Sequence, residues 1–461
     1  MRGPASAGSP GPDRSHGAPP AVRAWAQALG AAVAGMVSMI VVAVIGLWAA
    51  GAADLPGGAF PSVVAATVLV AAGGSVGLSG DAGVIAEARA GLDVVPLSVT
   101  LAGALALAAV FLLPLRHRAV AGTRELLARI ARTAVCWLVL LLLVSLAARH
   151  SFRISVGNDL AEQIGSELGA TPTVGFRAEV PATLAVGLLW VLALLALTFL
   201  VSRRAPLSPR LLHYQDSVRP PAFAMVLTLL GYAVIGLVAG VVELITNDRP
   251  AQTLAVIFLG LPNLAWMALG IGTGGAWVGH VDKALGLPLP NLLDQVLRTH
   301  GQRTLDLGSL AEHDRRAWLL VAVAAVVLFA AAFTAAVRSP VRRPAWRHGA
   351  EMAVALAVTL FAVGLLTRIS AHYGLSVIGI GDLGGDLGGE VTLEPQLPRL
   401  VGVGLVWGLV MGSLGGLAAR GVRHRGEVPE PPGAPEPPGA PEPPGAPEPP
   451  GAPEPPGAPK P

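Results

Sequence analysis

Two polar strings interrupt an otherwise apolar chain of 461 residues and hold the side chains whose types and spacing could do chemistry. The first is Gly73-Gly74-Ser75-Val76-Gly77-Leu78-Ser79-Gly80-Asp81. Within it, Gly77 to Gly80 has the Gly-x-Ser-Gly spacing that presents a nucleophilic serine in intramembrane serine proteases. A serine is activated only by a base within about 3 Å. His150, His280 and His372 all fall outside the centres of the apolar runs, so the protease is a minor alternative. The better reading is a turn whose amides and Asp81 carboxylate meet an ion or small solute, against the plainer alternative of a hairpin with no ligand. The second string begins at Leu261-Pro262-Asn263, where a proline and an amide inside an apolar run would break or kink a helix and free carbonyls. It continues to Gly270-Ile271-Gly272-Thr273-Gly274-Gly275. This stretch follows an apolar helix rather than a strand and lacks a Lys-Ser/Thr pair, which excludes a nucleotide loop. The candidate solute site is therefore Ser75, Ser79, Asp81, Asn263 and Thr273. No catalytic residue, cofactor or metal is expected, and the chain is read as no enzyme. The single cysteine, Cys136, lies in an apolar run, which excludes a disulfide framework and a cysteine-based metal site.

The elements that must position these residues are membrane helices. Hydrophobic residues make up 53% of the chain, charged residues only 13%, and the mean hydropathy is +0.63. Soluble domains carry about 25% charged residues, so a soluble enzyme is excluded. The basic residues form no face and have few aromatics among them, which excludes a nucleic-acid partner; the expected partner is the lipid bilayer. Eight apolar runs are long enough to span or nearly so: 28–50, 95–115, 133–148, 181–201, 222–242, 318–337, 352–366 and 400–419. The first is too long for a signal h-region and is read as an uncleaved span. Two further runs, 60–78 and 254–272, dissolve into glycine at their C-terminal ends. If both dip in and return on the same side, 20 of the 32 basic residues fall in the loops of one face, and 19 of the 29 acidic residues fall in the loops of the other. Basic loops stay in the cytoplasm. The expectation is an all-α polytopic protein of the bacterial plasma membrane, with about eight transmembrane helices, two re-entrant segments and both termini cytoplasmic.

The chain also reads as one pattern written twice. Ala43-Val44-Ile45-Gly46-Leu47 recurs as Ala233-Val234-Ile235-Gly236-Leu237, Arg153-Ile154-Ser155 as Arg368-Ile369-Ser370, and Pro181 with Trp190 as Pro398 with Trp407. Chance recurrence in a small apolar alphabet is the competing explanation. Each half crosses an even number of times, so the copies run parallel, as in some transporters. The expected organisation is an N-terminal arm (1–24), two membrane repeats (25–221 and 222–426) and a disordered tail (427–461) of Glu-Pro-Pro-Gly-Ala-Pro hexads. Gly404, Gly408, Gly412 and Gly416, four apart, should form a face for close helix packing. No ionisable group falls in mid-span, which weighs against transport driven by buried carboxylates. What remains is a facilitative passage or solute site between the repeats. A scaffold binding partners through its outer loops or proline-rich tail is the alternative.

The Gly73-Gly74-Ser75-Val76 and Ser79-Gly80-Asp81 strings, the span opening at Pro96-Leu97, and Leu261-Pro262-Asn263-Leu264-Ala265-Trp266 resemble the streptophobe family, very hydrophobic multi-span proteins of Streptomyces and relatives. The resemblance covers about residues 25–425. It implies a membrane protein of the actinobacterial envelope and brings no catalytic residues.

Overall fold

The computed structural model describes residues 20–55, 58–74, 76–81, 86–114, 123–153, 173–202, 209–281, 303–339, 344–377 and 389–421. The N-terminal arm up to residue 19, Ser75 and the proline-rich tail lie outside the described residues. In chain order the elements are α1 (Pro20–Ala49), α2 (Phe60–Ala71), β1 (Val76–Asp81), β2 (Ala86–Val94), α3 (Leu97–Leu112), α4 (Thr123–Ala147), β3 (Arg149–Arg153), β4 (Thr173–Ala178), α5 (Val180–Val201) and α6 (Pro209–Thr246). They continue with α7 (Pro250–Gly272), β5 (Trp277–Val281), β6 (Arg303–Leu305), α8 (Leu307–His313), α9 (Leu319–Arg338), α10 (Ala345–Leu366), β7 (Ile369–Val377), β8 (Gly389–Pro395) and α11 (Leu397–Ala418).

The chain is a mostly helical polytopic membrane protein, and among the described residues eight helices are long and apolar enough to cross a bilayer. Length alone counts α7 among the eight and leaves out α3, which has 16 residues. Burial is arranged as lipid demands. Val33, Val37, Val41 and Ile45 form an exposed apolar stripe on α1 at i+4 spacing, while Met36, Met39 and Ala43 between them are buried. Buried hydroxyls bond their own helices: Thr133 to the Arg129 carbonyl, Ser145 to Leu141 and Thr228 to Ala224. With no water at that depth, such local acceptors are what a hydroxyl can find. Exposed tryptophans mark both ends. Trp25 and Trp48 lie near opposite ends of α1, about 34 Å apart at 1.5 Å per residue, close to the hydrocarbon thickness. Trp318 and Trp346 mark the two ends in the second half, as interfacial anchors do.

Nothing in the sequence pointed to a sheet, yet among the described residues eight antiparallel strands form one, in the order β3-β4-β1-β2-β7-β8-β5-β6. Every strand comes from a segment assigned by charge to the acidic face. The sheet also sets a parity. Strand β4 leads into α5 and strand β5 follows α7, and both strands lie in the same sheet. Since α5 leaves the sheet face, only one of α6 and α7 can then traverse. Helix α6 is the long one, with an apolar segment from Ser217 to Thr246. Helix α7 ends inside the bundle: the Thr273 carbonyl accepts from the Trp407 indole, in the third turn of α11, at 2.9 Å. Three residues later the chain is back at the start of that helix, where the Gln396 amide donates to the Ala276 carbonyl. Helix α7 runs unbroken through Pro262, so that proline interrupts a hydrogen bond without ending the helix.

Several local features recur at separate places along the chain. Gly73 and Gly274 both end a helix at positive φ, 87° and 96°. The next amides, Gly74 and Gly275, donate back to the Leu69 and Gly270 carbonyls at 2.8 and 2.7 Å, the six-to-one bond of a Schellman turn. Val76 pairs with Ala178 as Trp277 pairs with Pro395. Near the starts of α4 and α10, the Arg129 guanidinium and the His348 imidazole each donate to a carbonyl of the helix before, Phe111 and Ala332. One landmark shifts. Strand pairing sets Arg149, not Arg153, in the place of Arg368, because Arg149 faces Arg177 and the residue one beyond Arg368 faces Leu393.

The glycine row of α11 meets α10. A Cβ on Gly404 would lie 2.9 Å from the Ala357 Cα, and one on Gly408 2.5 Å from the Ala353 Cα. One on Gly412 would lie 2.8 Å from the Gly349 Cα, and one on Gly416 would touch Ala345 at 3.4 Å. Backbone approach of this kind replaces the hydrophobic drive that lipid removes.

Candidate functional site

The junction of the halves is where α1 and α3 pack on α7. The first amides of a helix have no partner within it, and Asn263 of α7 supplies one for α3. Its Oδ1 accepts from the Leu97 amide at 3.1 Å, and its Nδ2 donates to the Val95 carbonyl at 2.8 Å. Beside it the Ser98 hydroxyl donates to the Ile257 carbonyl at 2.8 Å. Both ends of the Asn263 amide are thus spent on backbone, and it acts as a clamp between α7 and α3.

Thr273 lies ten residues further along α7, about 15 Å away at 1.5 Å per residue. Its hydroxyl, buried, donates to the Gly270 carbonyl at 2.8 Å. The carbonyls that end α7 are met by side chains of α11: Thr273 by Trp407, and Gly274 by the Arg399 Nε at 2.9 Å, with Arg399 also 3.4 Å from Asp306. Ser79 and Asp81 lie on β1, two residues apart. In the ladder Ser79 stands between Arg89 and Gly175, and Asp81 between Glu87 and Thr173. The described members of the expected set thus occupy three places: the sheet, the helix junction and the turn that ends α7. Ser75 lies outside the described residues.

The two glycine turns hold polar atoms the sequence did not single out. Gly73 and Gly74 press against Val186 and Thr183 of α5; Gly274 and Gly275 press against Val403 and Leu400 of α11. In the first turn the fully buried Thr183 hydroxyl has no hydrogen-bond partner among the described residues. In the second the indole Nε1 of Trp277, also fully buried and packed over Gly270, has none either. A buried polar group without a protein partner points to an unseen small partner such as water or a solute. The only hint in the sequence was the glycine runs themselves. At the opposite end of the bundle, Arg129 caps the C-terminus of α3, Arg219 caps that of α5 through the Ser202 carbonyl, and Arg338 lies 4.2 Å over the Phe223 ring. Cations at helix C-termini complement the helix dipole.

Among the described residues no three His, Cys, Asp or Glu side chains cluster as a metal site. Comparison with known protein families, with curated proteins and with solved structures finds no match in any of the three.

Proposed function

We propose that this membrane protein holds a small neutral polar solute, or a file of water, at its two glycine turns, and so provides a facilitative passage through the bundle. The observation that carries this reading is a pair of fully buried donors with no partner among the described residues, the Thr183 hydroxyl and the Trp277 indole, one beside each turn. Non-helical backbone at membrane depth persists where it lines a wet cavity or is buried in protein, and helices ending inside a bundle are how several transporters build their sites. A hydroxyl and an indole N–H are themselves uncharged, which suits an uncharged acceptor better than an ion. On this reading α2 and α7 are the re-entrant segments of two parallel repeats. The arginine-rich loops lie in the cytoplasm with both termini, and the sheet covers the outer face of a plasma membrane. The resemblance to the streptophobe family fits an actinobacterial envelope. Ser79 and Asp81 would then line the outer approach rather than the site itself.

The test is osmotic light scattering of proteoliposomes with water, glycerol and urea. Permeability above that of protein-free vesicles for at least one of these is expected, and it should fall several-fold in Thr183→Val, which keeps the shape and removes the hydroxyl. Permeability equal to protein-free vesicles for all three overturns the reading. A second reading, a membrane scaffold, is favoured by the sheet, which turns four separate loops into one platform. That reading expects no flux of any solute.

A further inference from the structure

The eight-stranded sheet is one four-stranded pattern laid down twice: β3-β4-β1-β2 is followed by β7-β8-β5-β6. Strands β3 and β7 each leave the C-terminus of a helix, α4 and α10, and strands β4 and β8 each lead into the next, α5 and α11. Strands β1 and β5 each follow a glycine turn and pair with β2 and β6. The seam between the two patterns is β2 against β7, an antiparallel register running from Ala86 opposite Val377 to Val94 opposite Ile369. It joins the last strand of one pattern to the first strand of the other. Among the described residues the sheet therefore terminates on a first strand, β3, and a last strand, β6, each paired on one side.

We propose that β6 of one copy pairs with β3 of a second copy, repeating the β2–β7 seam between molecules and building a ring of copies on the sheet face. The packing of the halves decides between this and closure of the sheet on itself. Were the halves related by a two-fold axis, the packing of α1 and α3 on α7 would be matched by α6 and α9 on α2. Helices α1 and α3 do pack on α7, and among the described residues no comparable packing of α6 or α9 on α2 occurs. The halves are joined head to tail, and such an interface propagates into a ring or a filament. Both halves run the same way through the bundle, so each added copy keeps its orientation in the bilayer, and propagation in a plane closes as a ring. Pairing also removes the open edges that sheet proteins otherwise have to protect. Strand addition is a common way for one chain to dock on another.

The correspondence of the halves fixes the register. The pair Gly91 and His372 of the seam becomes Thr304 of one copy opposite Arg153 of the next. The pair Asp93 and Ser370 becomes Asp306 opposite Ser151. Facing Cα atoms in an antiparallel pair are about 4.5–5.5 Å apart, within the span of a disulfide.

The experiment uses the full chain with Cys136→Ala. One tagged copy carries Thr304→Cys and a differently tagged copy carries Arg153→Cys; the two are co-expressed and their membranes oxidised. A reducible band carrying both tags is expected, together with particles in lipid nanodiscs weighing two or more chains. A single chain with Asp93→Cys and Ser370→Cys serves as the control and should close its own disulfide. A closed control with no two-tag band and one-chain particles overturns the proposal. So does a disulfide that forms only when Thr304→Cys and Arg153→Cys share one chain, which means the sheet closes on itself. A control that stays open removes the seam and overturns the proposal as well. None of these outcomes depends on whether a solute is conducted.

Discussion

At the scale of single residues, Asn263 shows how a polar group at membrane depth can be structural. Asn263→Ala leaves the Leu97 amide and the Val95 carbonyl without their partner, at about 1–3 kcal/mol for each buried group. Thermal unfolding in detergent should show a clear drop in Tm. Ser98→Ala, which removes one donor to Ile257, should cost about 1 kcal/mol. Equal effects of the two variants would mean the clamp does not hold. The sequence marked Asn263 by its residue type and its proline neighbour, and it could not show that the backbone of residues 95–97 would come to meet it. Thr183 and Trp277 gave no such mark. A threonine in an apolar run and a tryptophan after a glycine run are ordinary, and only the third dimension leaves their polar atoms without a partner among the described residues.

Elements were more legible than sites, because helices in lipid are written in long apolar runs. Glycine spacing in the last helix foretold its close contact, and that contact is testable. A side chain at Gly408 would drive into the Ala353 backbone, whereas one at Gly402 meets nothing within 4 Å. Gly408→Leu should therefore cost at least the 1–3 kcal/mol typical of overpacking, and Gly402→Leu almost nothing, both read as Tm in detergent. The two glycine turns offer a sharper comparison. Gly73 and Gly274 share the same left-handed backbone, so alanine at either pays about 1–2 kcal/mol for it. A Cβ at Gly73 would also stand 2.7 Å from Val186, against 3.7 Å from Val403 at Gly274. Gly73→Ala should be the more damaging, and the opposite order would contradict the turn geometry. The strands escaped the sequence reading because they lie in polar, glycine-rich loops without clean alternation. Their partners are distant in the chain, so pairing rather than pattern defines them.

For the whole molecule, the sheet sorts the segments by side without any use of charge. With Cys136 replaced, single cysteines at Asp54 and at Glu312 should react with an impermeant maleimide from one side of intact cells or spheroplasts. Cysteines at Arg124 and Arg420 should react only from the other. Labelling of Arg124→Cys together with Glu312→Cys from the same side would break the parity argument. The arginine count and the strand order lead to the same division by independent routes, one through the energetics of charge near a bilayer and the other through hydrogen-bonded pairing. The β2–β7 seam has a mechanical consequence. Many carriers work by rocking one half against the other, and here such a motion would have to shear a nine-residue ladder or pivot the two halves about it. The seam acts as a strap across the mouth of the bundle. Opening and closing, if the protein does either, would then fall to the glycine turns beneath it.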